Sequence, residues 1–316
     1  MAADVVGVDL GATKILARMI DPATGRSLGR QKSATPTTGP EAVLDEVVDV
    51  IGRLEGADEA VAVGIGVPGF VIDGRVVVRC ANIVGWDSPV DVADYLGSAL
   101  GLPVRVGNDV NCGALAEYRL GAAAGVGTDD LLAVFVGTGV GGGLIIDGKL
   151  IDGPRGMVGE IGHVSVTAAS GPVCGCGGRG HLEAYAGRAG IERRARELAE
   201  AGKLSLLVDL AGSGAIKSRH IARALAEGDE LTVELMNEAA DALALVIGNT
   251  ATLLDLRHIV LGGGVVDKLG QPFVDQIVAS HSFGGLGADI CELRLAQRLD
   301  DAGVAGAAIL AADHFG

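Results

Sequence analysis

"VVGVDLGATKILARMID" (Val5–Asp21) is a β-rich run, interrupted by Gly-Ala-Thr, that resumes as a second β-rich run. The same order returns in "LLAVFVGTGVGGGLIID" (Leu131–Asp147), with Gly-Thr-Gly as the interruption. Strand, glycine turn, strand, met twice in one chain, is the mark of a weak internal repeat of an α/β unit. Working outward, "TTGPEAVLDEVVDVIGRLEG" sets Val43, Val47, Val50, Ile51 and Leu54 on one helical face, with Thr38 as its cap and Gly56 as its stop. "AVAVGIGVP" reads as a buried strand closed by Pro68-Gly69, and a later short strand runs into Asn108-Asp109 ahead of a helix. Helical patterns cover roughly residues 182–201 and 231–254, and "HIVLGGGVVD" is a strand entering three glycines. No linker or low-complexity tract separates the halves, so they are expected to pack around a shared cleft.

The chain has 316 residues, enough for two cores, and is 49% hydrophobic with 21% charged and 3% aromatic residues. Its 51 glycines are interleaved with Val, Ile, Leu and Ala, which predicts tight turns between buried elements rather than disorder. A net charge of −15 repels nucleic-acid phosphates and anionic membranes, so neither is expected as a partner. Nucleotides remain compatible, because magnesium and local amides overcome a repulsive global field. "MAADVVGVDLGATK" has no basic region ahead of an apolar run, no apolar stretch is long enough to span a bilayer, and five cysteines make no disulfide framework. These features predict a cytoplasmic protein.

Three glycine turns stand out: "DLGATK" (Asp9, Leu10, Gly11, Ala12, Thr13, Lys14), "VGTGVGGG" (with Gly137, Thr138, Gly139) and "LGGGVV" (with Gly262, Gly263, Gly264). Without Cβ atoms, successive amides can converge on an anion. Thr13 and Thr138 add hydroxyls, and Asp9 at a strand end is placed to hold hydrated Mg²⁺ beside a triphosphate. One such turn alone reads more readily as a ligand-free hairpin. None is a Walker A loop or a clean Rossmann fingerprint. Together they resemble the actin, Hsp70 and sugar-kinase superfamily, in which two related halves clamp ATP.

"GNDVN" places Asn108 and Asp109 between a strand and a helix, where a carboxylate could take a proton from an attacking hydroxyl or either residue could cap the helix. "GEIGH" supplies Glu160 and His163, and Glu183 follows later, all suited to matching sugar hydroxyls directionally. His163, ten residues, Cys174, one residue, Cys176, four residues, His181 is a set of four soft or borderline ligands that favours a closed tetrahedral Zn²⁺ site over free thiols or a redox pair. Cys80, Cys112 and Cys291 are isolated and read as core residues.

The pieces "DLGATK", "GVPG", "NDVN", "GTGVGGG", "GEIGH", "CGCGGRGHLE" and "LGGGV", in that order and across the whole length, resemble the ROK family of sugar kinases, which includes many bacterial glucokinases. The resemblance implies an α/β, two-domain actin/Hsp70/hexokinase-like (ribonuclease H-like) fold with a cleft between the domains. It implies a small N-terminal domain over residues 1–109, joined by a last helix at about 301–316, and a larger domain over 110–300 carrying the zinc loop. Asp109 matches the family's catalytic base. Gly69, Asn82, Asn108, Glu160, His163 and Glu183 match its sugar contacts, with His163 shared between zinc and sugar. The family usually has cysteine where this chain has His181, a change expected to give a Cys₂His₂ site. The implied activity is ATP- and Mg²⁺-dependent phosphorylation of a hexose at the 6-hydroxyl, most simply glucose, with N-acetylglucosamine, N-acetylmannosamine, mannose and allose as alternatives. A homodimer or homotetramer is the implied assembly. The family's repressors carry a DNA-binding helix-turn-helix ahead of this region, and a first turn at Asp9 is expected to leave no room for one.

Overall fold

The structure is a computed structural model and describes residues 4–80, 83–167, 170–283, 291–297 and 301–316. The chain divides into two compact units, Met1–Asp129 with Gly143–Gly159 and Asp300–Gly316, and Asp130–Gly142 with Glu160–Leu299. In chain order the first elements are β1 (Val5–Leu10), β2 (Lys14–Ile20), β3 (Ser27–Ala34), α1 (Pro40–Gly52), β4 (Val63–Val67) and β5 (Phe70–Ile72). Then come β6 (Val76–Arg79), β7 (Val90–Asp91), α2 (Val92–Leu100), β8 (Val104–Asn108) and α3 (Asp109–Leu120). Next are β9 (Leu131–Val136), β10 (Val140–Ile146), β11 (Lys149–Leu150), α4 (Leu182–Ala186), α5 (Arg188–Glu200), α6 (Leu206–Ala211) and α7 (Ser218–Ala226). The chain continues through α8 (Glu230–Leu254), β12 (His258–Gly262), α9 (Val266–Leu269), α10 (Gln271–Ala279), β13 (Glu292–Leu295) and α11 (Ala302–Phe315).

The repeat read in the sequence is a repeat of topology. One sheet has the order β3-β2-β1-β4-β8 and another the order β11-β10-β9-β12-β13, so corresponding strands hold corresponding places. In the first, β1–β2 and β2–β3 are antiparallel, whereas β1–β4 and β4–β8 are parallel. In the second, β10–β11 is antiparallel and β12 is parallel to both β9 and β13. β1, β4, β9 and β12 are nearly continuous runs of buried apolar residues, as strands covered on both faces must be. β5, β6 and β7 form a third, small sheet.

α11 closes the first sheet by close backbone contact. Its buried face is Val304, Ala305, Gly306, Ala307, Ala308, Ile309, Leu310 and Ala311, mostly small residues. A Cβ on Gly7 of β1 would overlap the Val304 carbonyl, and one on Gly64 of β4 would overlap that of Ala307. Gly306 lies equally close to the Cys112 carbonyl of α3. The helix therefore seats on strand backbone, and dispersion between many close atoms replaces the contribution of larger side chains.

Local expectations needed correction at three points. α1 is capped by Gly39, not Thr38, because Pro40 at the first helical position presets the backbone. It stops at Gly52 with Arg53 as its cap, and Gly56, left-handed at φ 78°, lies beyond it. The helical pattern over 182–201 is two helices, broken at Gly187 (φ −65°, ψ 138°), which ends α4 and begins α5. Among the described residues no helix is long and apolar enough to cross a membrane.

Candidate active site and metal centre

In the first unit, Asp9 is the penultimate residue of β1 and pairs in register with Gly66 of β4. Asn108 ends β8 beside Val67, and Asp109 opens α3. A Cβ on Gly66 would lie 3.5 Å from the Asp109 Cα and 3.3 Å from the Cys112 sulfur. Asp9, Asn108 and Asp109 therefore share the carboxyl end of three adjacent parallel strands, where open α/β sheets place their chemistry. Burial raises the Asp9 carboxyl above its ordinary 3.8, and the Lys14 ammonium partly offsets this. Burial also pushes the Cys112 thiol well above 9.0, reinforced by Asp109, Asp9 and Asp152 in that order, so it stays protonated.

Asn108 does cap α3: its Oδ1 accepts from the Val110 and Asn111 amides at 2.9 and 3.1 Å. Its Nδ2 donates to the Gly69 carbonyl at 3.2 Å, which ties the "GVPG" turn to the same strand end. A carboxamide carries two N–H bonds, and the second has no partner among the described residues. Asp109 Oδ1 accepts from the Val110 amide at 2.9 Å. Asn82 lies outside the described residues.

The sequence reading passed over Asn111 and Asp152. Asn111 is 4% exposed, and its Nδ2 donates to Asp152 Oδ1 at 3.0 Å while its Oδ1 has no partner among the described residues. Burial raises the Asp152 carboxyl, against the Asn111 hydrogen bond and the Arg105 charge. Nothing in "LIDGPRG" signals this, because Asp152 meets Asn111 only through the fold; the second Asn of "NDVN" was the available clue.

The glycine turns share one construction. In the first, the Gly11 carbonyl accepts from the Thr35 hydroxyl at 2.7 Å and the Thr13 carbonyl from the Thr35 amide at 3.2 Å. In the second, the Gly137 and Thr138 carbonyls accept from the amides of Arg188 and Ala189 at 3.1 and 2.9 Å. Acceptors are thus tied back, while the amides of Ala12, Thr13, Thr138 and Gly139 have no acceptor among the described residues. Unsatisfied backbone amides on a glycine turn are suited to an anion. Gly263 (φ 87°) brings the third turn against the backbone of Val136, whose carbonyl accepts from Val265 at 3.0 Å. Gly137, Thr138, Gly139, Gly262, Gly263 and Gly264 are thereby gathered at the ends of neighbouring strands in the second unit.

The four predicted ligands also meet. One ligand atom from each of His163, Cys174, Cys176 and His181 falls within 4.8 Å of every other. Cys176 Sγ is 3.2 Å from His181 Nδ1, and Cys174 Sγ is 3.6 Å from His163 Nδ1. Tetrahedral zinc with S and N donors needs such atoms roughly 3.3–3.8 Å apart, so the residues fit the ion. Gly178 is required here, since any Cβ would overlap the His181 ring. Isolated β-bridges, Ser165 to His181 and Val173 to Arg179, bring the ends of the loop together.

The other nitrogen of His163, Nε2, faces Glu160 Oε2 at 3.7 Å. Burial raises Glu160, His163 lowers it, and Glu183 raises it again. Glu183 itself is spoken for on both oxygens: Oε2 accepts from the Val140 amide at 3.1 Å, and Oε1 lies 3.6 Å from the Cys174 thiol.

Comparison with known proteins agrees with this construction. The ROK family model matches residues 5–314. A glucokinase of Streptomyces coelicolor is 35% identical over 313 residues, covering 97% of this chain and 96% of the relative. Among solved structures, a ROK hexokinase from Thermus thermophilus has a TM-score of 0.83 at 32% identity, covering 98% of each chain. A ROK family glucokinase from Streptomyces griseus, in complex with glucose and AMPPNP, has a TM-score of 0.74 at 34% identity, covering 98% of this chain and 99% of that one. The fold is of the actin/Hsp70/hexokinase-like class.

Proposed function

This chain belongs to the ROK family and is a hexose kinase, and we propose that it transfers the γ-phosphoryl group of ATP to the 6-hydroxyl of glucose. The observation that supports the reaction best is the shared strand end of Asp9 and Asp109, two carboxylates with different surroundings beside a glycine turn.

In this reading Asp109 accepts the proton of the 6-hydroxyl as that oxygen attacks in line. Asn108 offers its remaining N–H to the sugar and holds Gly69 through the other. The amides of the turns at Gly11–Lys14, Gly137–Gly139 and Gly262–Gly264 cradle the phosphates and take up charge as the bond to the leaving ADP breaks. Asp9 would hold Mg²⁺, which when bound neutralises phosphate charge. Glu160, His163 and Glu183 orient sugar hydroxyls. His163, Cys174, Cys176 and His181 would hold a structural zinc that keeps the loop in shape, with His163 Nε2 left to face the substrate side. A homodimer or homotetramer working in the cytoplasm completes the proposal.

A coupled assay of ADP release across glucose, mannose, allose, N-acetylglucosamine and N-acetylmannosamine tests it, with zinc measured on the same sample. Glucose should give the highest kcat/KM. ATP hydrolysis unaffected by every sugar would overturn the kinase reading, and a stronger response to another hexose would overturn glucose.

A further inference from the structure

Arg188 is the first residue of α5, and it stands where it does because Gly187 breaks the helix beside the second glycine turn. Any Cβ on Gly187 would press on the Gly139 Cα at 3.2 Å and on the Glu183 carbonyl at 2.7 Å. The break turns the Arg188 backbone amide onto the Gly137 carbonyl. It also delivers the guanidinium to two acceptors, the Ile216 carbonyl through Nη1 and Thr138 Oγ1, 2.7 Å away, through Nη2.

A guanidinium only donates, whereas a hydroxyl both donates and accepts. The Thr138 oxygen must therefore accept from Arg188, and its own proton is directed elsewhere. Thr138 is exposed, and its side chain has no other partner among the described residues. The hydroxyl proton thus joins the unpaired amides of Thr138 and Gly139 as a donor on the same turn. Charge supports the same reading. Glu183 sets a carboxylate on the Val140 side of the turn, and Arg188 sets a cation on the Thr138 side. In a chain of net charge −15, that cation offsets repulsion of a polyphosphate.

We propose that Arg188 is a positioning residue for the nucleotide, committing the Thr138 hydroxyl as a donor to a phosphate oxygen of ATP. The proposal rests on the reading of the Gly137–Gly139 turn as a phosphate cradle. Arg188 acts through Thr138, so the two side chains should behave as one unit.

Titration calorimetry with ADP and Mg²⁺ on wild type, Arg188→Met, Thr138→Val and the double variant tests this. Each single variant should bind ADP about tenfold more weakly, the loss expected for a hydrogen bond to a charged group. The double variant should be no weaker than Thr138→Val alone. Arg188→Lys, which keeps the charge and one donor, should recover part of the loss. In steady state the ATP KM should rise in both single variants while the glucose KM holds. Losses that multiply to about a hundredfold in the double variant would overturn action through Thr138. Weakened binding in Thr138→Val with none in Arg188→Met would overturn the role of Arg188 alone. Unchanged ADP affinity in Thr138→Val would instead remove the phosphate reading of the turn. If Arg188→Met does not fold, Arg188→Lys carries the same cycle with a smaller first loss.

Discussion

The Glu183 carboxylate and the Val140 backbone amide lie 3.1 Å apart, and that bond joins the start of α4, beside the Cys/His loop, to the glycine turn between β9 and β10. The other Glu183 oxygen reaches the Cys174 thiol. A sugar contact alone would leave the nucleotide indifferent to this residue; a tether would not. Glu183→Ala should raise the ATP KM about tenfold along with the glucose KM, as expected for losing a hydrogen bond to a carboxylate. Steady-state kinetics with each substrate varied separately checks this, and a change confined to glucose would count against the tether.

Asp109→Ala should lower kcat by about a thousandfold while glucose binding changes little, because a general base acts in the transition state. Single-turnover rates and equilibrium glucose binding read the two effects apart. Turnover near that of wild type would remove the base assignment.

Burial holds the Asp9 carboxyl above its ordinary 3.8 in the folded chain. A folded state with the higher pKa binds the proton more tightly than the unfolded chain. Its contribution to stability is complete below about 3.8 and is lost as pH rises through the folded value. Asp9→Asn should therefore melt about 2 °C higher than wild type at pH 7, with turnover lost. The difference should shrink toward zero as pH approaches 3.8. Equal melting at pH 7, or a lower value for the variant, would contradict a costly buried carboxylate.

The donor set predicts about one zinc per chain by elemental analysis. A strong chelator should strip it and lower the melting temperature by several degrees, since closed structural sites contribute to folding. His181→Ala should lose zinc under dialysis that wild type survives, and His181→Cys should keep it. Zinc retained in both His181→Ala and Cys176→Ser would show that these residues are not the ligands.

Gly306 faces the Cys112 carbonyl so closely that any Cβ overlaps it, whereas a Cβ on Gly52 meets nothing within 4 Å. Gly306→Ala should cost about 3 kcal/mol, the upper range for overpacking a core. Gly52→Ala should be neutral or stabilising by up to about 1 kcal/mol. Paired denaturant melts decide it, and similar behaviour of the two would deny the close seating of α11.

The repeated strand–turn–strand order and the Cys/His set were readable from residue order because each depends on local steric and ligand chemistry. Gly-Ala-Thr and Gly-Thr-Gly interrupt β-rich runs wherever they stand, and Cys174, Cys176 and His181 lie close enough in the chain for a loop to join them. The break at Gly187 was not readable. By periodicity, residues 182–201 make one helix, and only the nearby Gly139 backbone shows why a chain without Cβ must leave helical geometry there. Asp152 escaped for a similar reason: it lies 41 positions from Asn111 and meets it only in the folded chain.

By itself the sequence determined the α/β class, the duplicated topology and the Cys/His set that clusters in the fold. Tertiary structure alone decided that Glu183 tethers the glycine turn, that Arg188 aims at Thr138, and that Asp9 stands near Asp109. Periodicity and spacing record what a residue does to its own backbone, whereas a hydrogen bond between distant side chains exists only once packing has brought their atoms within about 3 Å.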